Sequence, residues 1–208
     1  MDKVMLEQVV TQVLGEMRLR PIPIGISSRH VHLSHADYAC LFPGTPITEK
    51  KALLQPGQFA AEQTVTLVGP KGKIARVRLL GPLRNESQVE ISGSDARQLG
   101  IDAPLRLSGD LAGTPGIRLQ SDNGELTLSQ GVIVARRHIH MSPLEALVLG
   151  VNHGDNVQVS LHSHGRSLVF GDVAVRVSEA MRLEFHIDTD EANAAGADAP
   201  GSTARLVK

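Results

Sequence analysis

The chain has 208 residues, of which 41% are hydrophobic, enough to bury a core in one large or two small domains and to exclude an intrinsically disordered chain. Lys and Arg number 21 against 22 acidic residues, a formal charge of -1, and aromatics make up 2%, which excludes a basic footprint or a base-stacking platform for nucleic acid and leaves only a local basic site for a phosphorylated ligand. No run reaches the ~18 consecutive apolar residues that span a bilayer, so a soluble protein without a membrane partner is expected, and the single cysteine, Cys40, excludes an intrachain disulfide framework, in keeping with a reducing, cytosolic environment.

Residues 1–19 place Val4, Met5, Leu6, Val9, Val10, Val13, Leu14 and Met17 mostly three and four apart, with Asp2, Lys3, Glu7, Gln8, Thr11 and Gln12 between them. That spacing predicts an amphipathic helix. It has no basic stretch followed by a continuous apolar run, so it does not read as a secretory signal. Arg20-Pro21-Ile22-Pro23 ends it, because prolines cannot continue a helix and restrict the residue before them. The residues alone leave two readings open, a helix packed on its own domain and a detachable docking helix.

From Ile22 onward, short β-branched runs alternate with Gly, Pro, Asn and Asp, which predicts mainly β architecture with closed or sandwiched sheets. Residues 64–68 and 74–80 read as two strands around the turn Gly69-Pro70-Lys71-Gly72-Lys73; residues 157–161 and 167–170 repeat the pattern around 162–166. Short helices are expected after Ser34 (35–41), Ser94 (95–99), Ser142 (143–149) and Asp188 (189–195), the leading residues acting as caps and Pro143 fitting a first helical position. Cys40, between Tyr38-Ala39 and Leu41-Phe42, reads as a small core residue and a weak nucleophile candidate.

The chain also resembles itself. Arg29-His30-Val31-His32-Leu33-Ser34 recurs as Arg137-His138-Ile139-His140-Met141-Ser142, 108 residues on. Glu90-Ile91-Ser92-Gly93-Ser94-Asp95-Ala96 aligns with His186-Ile187-Asp188-Thr189-Asp190-Glu191-Ala192 at an offset of 96. A 12-residue loop difference reconciles the two offsets, so two homologous halves are expected. A lone His-x-His says little, since nine histidines yield about 0.4 such pairs by chance. His162-Ser163-His164, beside Gly165, reads as a solvated turn. The other two pairs differ by sharing a six-residue context. On a strand, residues i and i+2 share a face, so His30 with His32, and His138 with His140, each present two imidazoles to one cation, while Val31 and Ile139 face the core. The second repeated block adds Glu90 to the first pair and His186 to the second, and three protein ligands per ion leave an open position. The alternative is a set of hydrogen-bonded histidines at a domain interface.

At these residues the sequence resembles the phosphate propanoyltransferase family of the PduL type, found in bacterial microcompartments that degrade propanediol and related substrates. The resemblance runs through residues 28–34, 49–58, 79–84, 88–92, 137–142 and 186–193 and covers essentially the whole chain. It implies two β-barrel domains, 22–130 and 131–208, with short capping helices, preceded by an amphipathic helix over 1–20 that serves as an encapsulation peptide. A homodimer or higher assembly, microcompartment shell or cargo partners, and a place in the microcompartment lumen within the cytoplasm follow from the same likeness. So does a two-zinc site on His30, His32, Glu90, His138, His140 and His186. Arg84 matches the family's catalytic, phosphate-site arginine, and Ser27, Lys51, Arg78, Leu80 and Asn193 match its coenzyme A contacts.

The implied reaction moves propanoyl between coenzyme A and phosphate by direct attack of metal-bound phosphate on the thioester, with Arg84 holding phosphate in a bidentate fork. No covalent nucleophile is needed. Propanoyl over acetyl rests on the likeness alone. The competing expectations are a metal-dependent acyl-coenzyme A hydrolase and a non-catalytic metal-binding recruitment module, the latter disfavoured because structural zinc takes four protein ligands.

Overall fold

Runs rich in Val, Ile, Leu and Thr form strands because branched side chains pack on a pleated surface, and the Gly, Pro, Asn and Asp between them supply the turns. The computed structural model describes residues 2–207. Its strands are β1 (Ile24–Ser27), β2 (His30–His32), β3 (Glu49–Ala52), β4 (Phe59–Val68), β5 (Lys73–Gly81), β6 (Gln88–Ile91), β7 (Leu105–Arg106), β8 (Ile117–Gln120), β9 (Glu125–Leu128), β10 (Val132–Ala135), β11 (His138–Met141), β12 (Asn156–His162), β13 (Leu168–Val177), β14 (Glu184–Asp188) and β15 (Thr203–Leu206). Its helices are α1 (Lys3–Arg18), α2 (His35–Leu41), α3 (Gly93–Leu99), α4 (Pro143–Leu149) and α5 (Thr189–Ala195). The architecture is therefore mainly β with five short helices among the described residues. None of these helices is long and apolar enough to cross a membrane.

Contacts gather the chain into two units. One comprises residues 27–136 and 188–191 and holds a nine-stranded sheet in the order β7-β10-β6-β2-β5-β4-β8-β9, with β3 added to β4. Val31, Leu33, Leu67, Leu79, Val89, Leu99 and Leu119 are fully buried in its core, each such side chain stabilising by about 1.5–3 kcal/mol. Helix α3 starts earlier than expected. Its cap is Ser92 rather than Ser94, because the Ser92 hydroxyl accepts from the Asp95 N–H while the Asp95 carboxylate accepts from the Ser92 N–H, a reciprocal pair that satisfies two orphan donors at once.

The other unit comprises residues 1–26, 137–187 and 192–208, with a six-stranded sheet in the order β1-β14-β11-β13-β12-β15. Ile139, Met141, Leu161, Val173, Phe185 and Ile187 fill its core. Strand β1, which chain order alone would give to the first half, adds to this sheet beside β14, and Ile22 bridges to Ala204. Each strand order is an open path with two edges. Helix α4 carries the expected Ser142 cap and Pro143, and His162 and His164 are exposed around a turn at Gly165, whose φ of 84° is a left-handed conformation that glycine adopts without cost.

Cys40 departs from expectation, since it is exposed. Helix α2 turns Tyr38 and Leu41 inward, three apart and so on one face, and a residue two places after Tyr38 falls about 200° round the helix, toward solvent. Helix α1 buries no residue; Val4, Met5, Leu6, Val9, Val10 and Val13 are 44–57% exposed, and Arg18 Nε donates to the Val148 carbonyl at 2.5 Å. Removing residues 1–20 is therefore expected to change the free energy of unfolding by less than about 1 kcal/mol, read by urea denaturation. A larger loss would show that α1 is an integral part of the domain.

Candidate metal centre

The site follows from strand register. Strands β2 and β6 pair antiparallel with His30 opposite Glu90, Val31 opposite Val89 and His32 opposite Gln88. Strands β11 and β14 pair antiparallel with His138 opposite His186 and His140 opposite Glu184. In each case a third strand lies parallel on the far side, β5 beside β2 and β13 beside β11. Directly opposed residues have Cβ atoms about 4.5–5.5 Å apart, so the alternation that sends Val31 and Ile139 into the cores, both 0% exposed, collects the three polar side chains on the other face. His30, His32, Glu90, His138 and His140 are all buried.

Within each triad, one ligand atom from every residue lies within 4.8 Å of the others. In the first, the His30 and His32 rings meet edge to face at 5.0 Å, and His30 Nε2 lies 3.5 Å from Glu90 Oε2. His30 Nδ1 is 2.9 Å from the Ser28 carbonyl. A carbonyl only accepts, so Nδ1 carries the proton and Nε2 is presented as a ligand. His32 Nδ1 is buried with no hydrogen-bond partner. Burial pulls both imidazoles toward the neutral form. In His30 the Glu90 carboxylate more than offsets burial and Arg84, and its pKa is raised. In His32 burial, His30 and Arg84 together hold it well below the ordinary value. Both effects put the Arg84 guanidinium in the neighbourhood of this triad.

In the second triad the ring centroids are 4.6, 5.1 and 4.8 Å apart, and the Nε2 atoms of His138 and His140 are 2.7 Å apart. Two ring nitrogens at that distance share a proton or a cation between them. His186 Nε2 lies 2.7 Å from Glu184 Oε2, but the angles are not those of a hydrogen bond, so the contact is electrostatic. Gly25 on β1 makes room here, since a Cβ would meet Glu184 Oε1 at 2.8 Å and His186 Cδ2 at 3.2 Å.

These donor sets fit zinc. Two imidazoles with a carboxylate, or three imidazoles, satisfy its preference for N and O ligands with one tetrahedral position open. The orphaned His32 Nδ1 is the polar atom that a cation would satisfy.

Flanking groups fix the strands that carry the ligands. Arg29, next to His30, grips the buried Asp95 through Nε at 2.9 Å and Nη2 at 2.8 Å. Gln88, 1% exposed, donates to Glu90 Oε1 at 2.5 Å and to Ser108 Oγ at 2.9 Å, and accepts from the Gly109 N–H at 2.8 Å. The Arg84 backbone N–H donates to the Leu33 carbonyl. Gly81, at the head of the Gly-Pro-Leu-Arg segment, packs its Cα under the Phe59 ring where a Cβ would collide. Sequence reasoning missed Gln88 and Asp95. Gln88 sits two residues before Glu90 and hence on the same strand face, the one signal that marks it; Ser108, in a loop, carries none.

Four of the expected coenzyme A residues, Ser27, Lys51, Arg78 and Leu80, lie in the same unit as the first triad, and Asn193 lies on α5 in the other. Ser27 Oγ is 3.4 Å from His30 Nδ1. Arg78, opposite His30 in the parallel register, donates to the Ala61 and Glu62 carbonyls at 3.0 and 2.7 Å. Lys50 pairs with Glu62 at 3.3 Å, whereas Lys51 has no ion pair among the described residues.

A family model described as phosphate propanoyltransferase matches residues 23–198. Proteins of that name from Citrobacter rodentium (71% identical, 99% of this chain and 98% of that one), Salmonella typhimurium (69%, 100% and 99%) and Shewanella putrefaciens (58%, 100% and 98%) are similar along their whole length.

The opposed pKa shifts predict how the first triad takes up metal. His30, raised, is protonated as pH falls through its elevated pKa, and zinc must displace that proton; His32 stays neutral and adds no competition there. In a His138→Ala/His140→Ala variant, log Ka for zinc should fall by about one per pH unit once pH drops below the raised pKa of His30, measured by competition with a chromogenic chelator. A slope of two, or none, would contradict the assigned proton states.

Proposed function

This chain belongs to the phosphate propanoyltransferase family and is an acyltransferase, and from that premise we propose that it transfers propanoyl reversibly between coenzyme A and phosphate by direct attack, with the two triads as zinc sites. The observation that supports this most is the pair of buried three-ligand clusters, His30/His32/Glu90 and His138/His140/His186. Three protein ligands each favour a site open to substrate over a closed structural one.

When bound, the ions supply Lewis-acid polarisation and offset the charge of the phosphate and the developing oxyanion. The chain's own residues do the rest. Arg84, beside the first triad, grips phosphate through its fork of N–H donors and aims one oxygen at the thioester carbon. A carbon–oxygen bond forms to that oxygen and the carbon–sulfur bond breaks, so the sulfur leaves with the electron pair and takes up a proton as coenzyme A. Ser27, Lys51, Arg78, Leu80 and Asn193 hold coenzyme A, Lys51 contributing an ammonium that no carboxylate engages among the described residues. The identical pairing around β2 and β11 supports an origin of the two halves, 22–130 and 131–208, by duplication, as two barrel domains.

We further propose that α1 docks on microcompartment shell or cargo proteins, which places the enzyme, as a homodimer or larger homo-oligomer, in the microcompartment lumen. Its exposed valines and Met5 support this, because an apolar helical face of that kind is covered in a helix-in-groove contact. The truncated chain should keep turnover within about twofold while losing co-sedimentation with purified microcompartments, and retained co-sedimentation would rule the docking role out.

The activity is tested with purified protein and propanoyl-coenzyme A, with and without phosphate, before and after chelation. Coenzyme A release should require both phosphate and metal, and label should not exchange between propanoyl-coenzyme A and free coenzyme A when phosphate is omitted. Phosphate-independent release would identify a hydrolase; exchange would identify an acyl-enzyme.

A further inference from the structure

A serine hydroxyl has one proton to give and two lone pairs to receive. Ser108, half-buried in the loop after β7, has both lone pairs taken. Arg84 Nη1 donates to its Oγ at 3.3 Å and Gln88 Nε2 donates at 2.9 Å. Neither nitrogen can accept, since a guanidinium and an amide NH2 carry donors only.

The orientation of Gln88 is fixed by its surroundings. Its Oε1 accepts from the Gly109 N–H at 2.8 Å and its Nε2 faces the Glu90 carboxylate. Turning the amide over would set oxygen against carboxylate and NH2 against N–H, both repulsive. Gly109 adopts a φ of 97°, a left-handed conformation natural only to glycine, so the loop that presents Ser108 is itself set by sequence. The Ser108 proton is then directed away from Gln88 and Arg84, and no acceptor takes it among the described residues.

We infer that Ser108 is a second phosphate-binding residue, its O–H donated to an oxygen of the phosphate, or of the acyl phosphate in the reverse direction, that Arg84 holds. This rests on the assignment of Arg84 as the phosphate residue. A neutral donor beside a guanidinium suits a tetrahedral oxyanion, whose several oxygens exceed what one two-pronged fork can satisfy. Gln88 is the positioning residue, ordering both the Glu90 ligand and the Ser108 hydroxyl from one amide.

Steady-state kinetics of Ser108→Ala, Ser108→Thr and Arg84→Gln, with bound zinc measured for each, test the inference. Ser108→Ala should raise the KM for phosphate about tenfold, the usual worth of one hydrogen bond to a charged group. Its KM for propanoyl-coenzyme A and its zinc content should not move. Ser108→Thr, which keeps the hydroxyl, should recover most of the phosphate affinity. An unchanged phosphate KM in Ser108→Ala, alongside a raised one in Arg84→Gln, would overturn the role of Ser108 alone. An unchanged phosphate KM in Arg84→Gln would overturn the reading beneath it. Loss of zinc with a lower kcat at constant phosphate KM in Ser108→Ala would make Ser108 a scaffold residue and would equally overturn the inference.

Discussion

Cross-strand register is the constraint from which the rest of this molecule follows. Side chains alternate along a strand, so a slip of one residue between β2 and β6 would turn His30, His32 and Glu90 away from one another and push Val31 into their place. What prevents the slip is apolar. Val31 and Val89 face each other with no exposed surface, as do Ile139 and Phe185 in the other sheet. The cores thus hold the polar clusters in register, and a three-residue strand needs that help, because its own ladder hydrogen bonds are few.

Burying five of the six ligands is costly unless each is satisfied. The structure meets part of that cost with neighbours, the Ser28 carbonyl for His30 and Gln88 for Glu90. The carboxylate makes the two sets electrostatically unequal. His30, next to Glu90, holds a proton more readily than an ordinary histidine. Three imidazoles with no carboxylate among them offer a cation a neutral set, with Glu184 alongside His186 supplying nearby negative charge. The two clusters thus differ in charge through one residue, Glu90 in the first where the second has His186.

Much of this was legible in the residues. The His-x-His pairs, read together with Glu90 and His186, were enough to name the residues of both clusters, because a period of two is a property of sequence. Helix starts at Ser34, Ser142 and Asp188 were legible for the same reason, as capping is local. Ser94 failed as a cap because the reciprocal Ser92–Asp95 bond outweighs it, and Cys40 failed because apolar neighbours in sequence say nothing about which face of a short helix turns inward. Tertiary choices were not visible at all. That β1 joins β14 depends on strands far apart in the chain, and the bond between Ser108 and Gln88 depends on where a loop returns.

The most direct test of the central claim is anomalous diffraction at the zinc edge from crystals whose dissolved protein converts propanoyl-coenzyme A with phosphate. A peak is predicted within each triad, about 2.0–2.2 Å from imidazole nitrogen and carboxylate oxygen. Active crystals with no anomalous density in either cluster would contradict it.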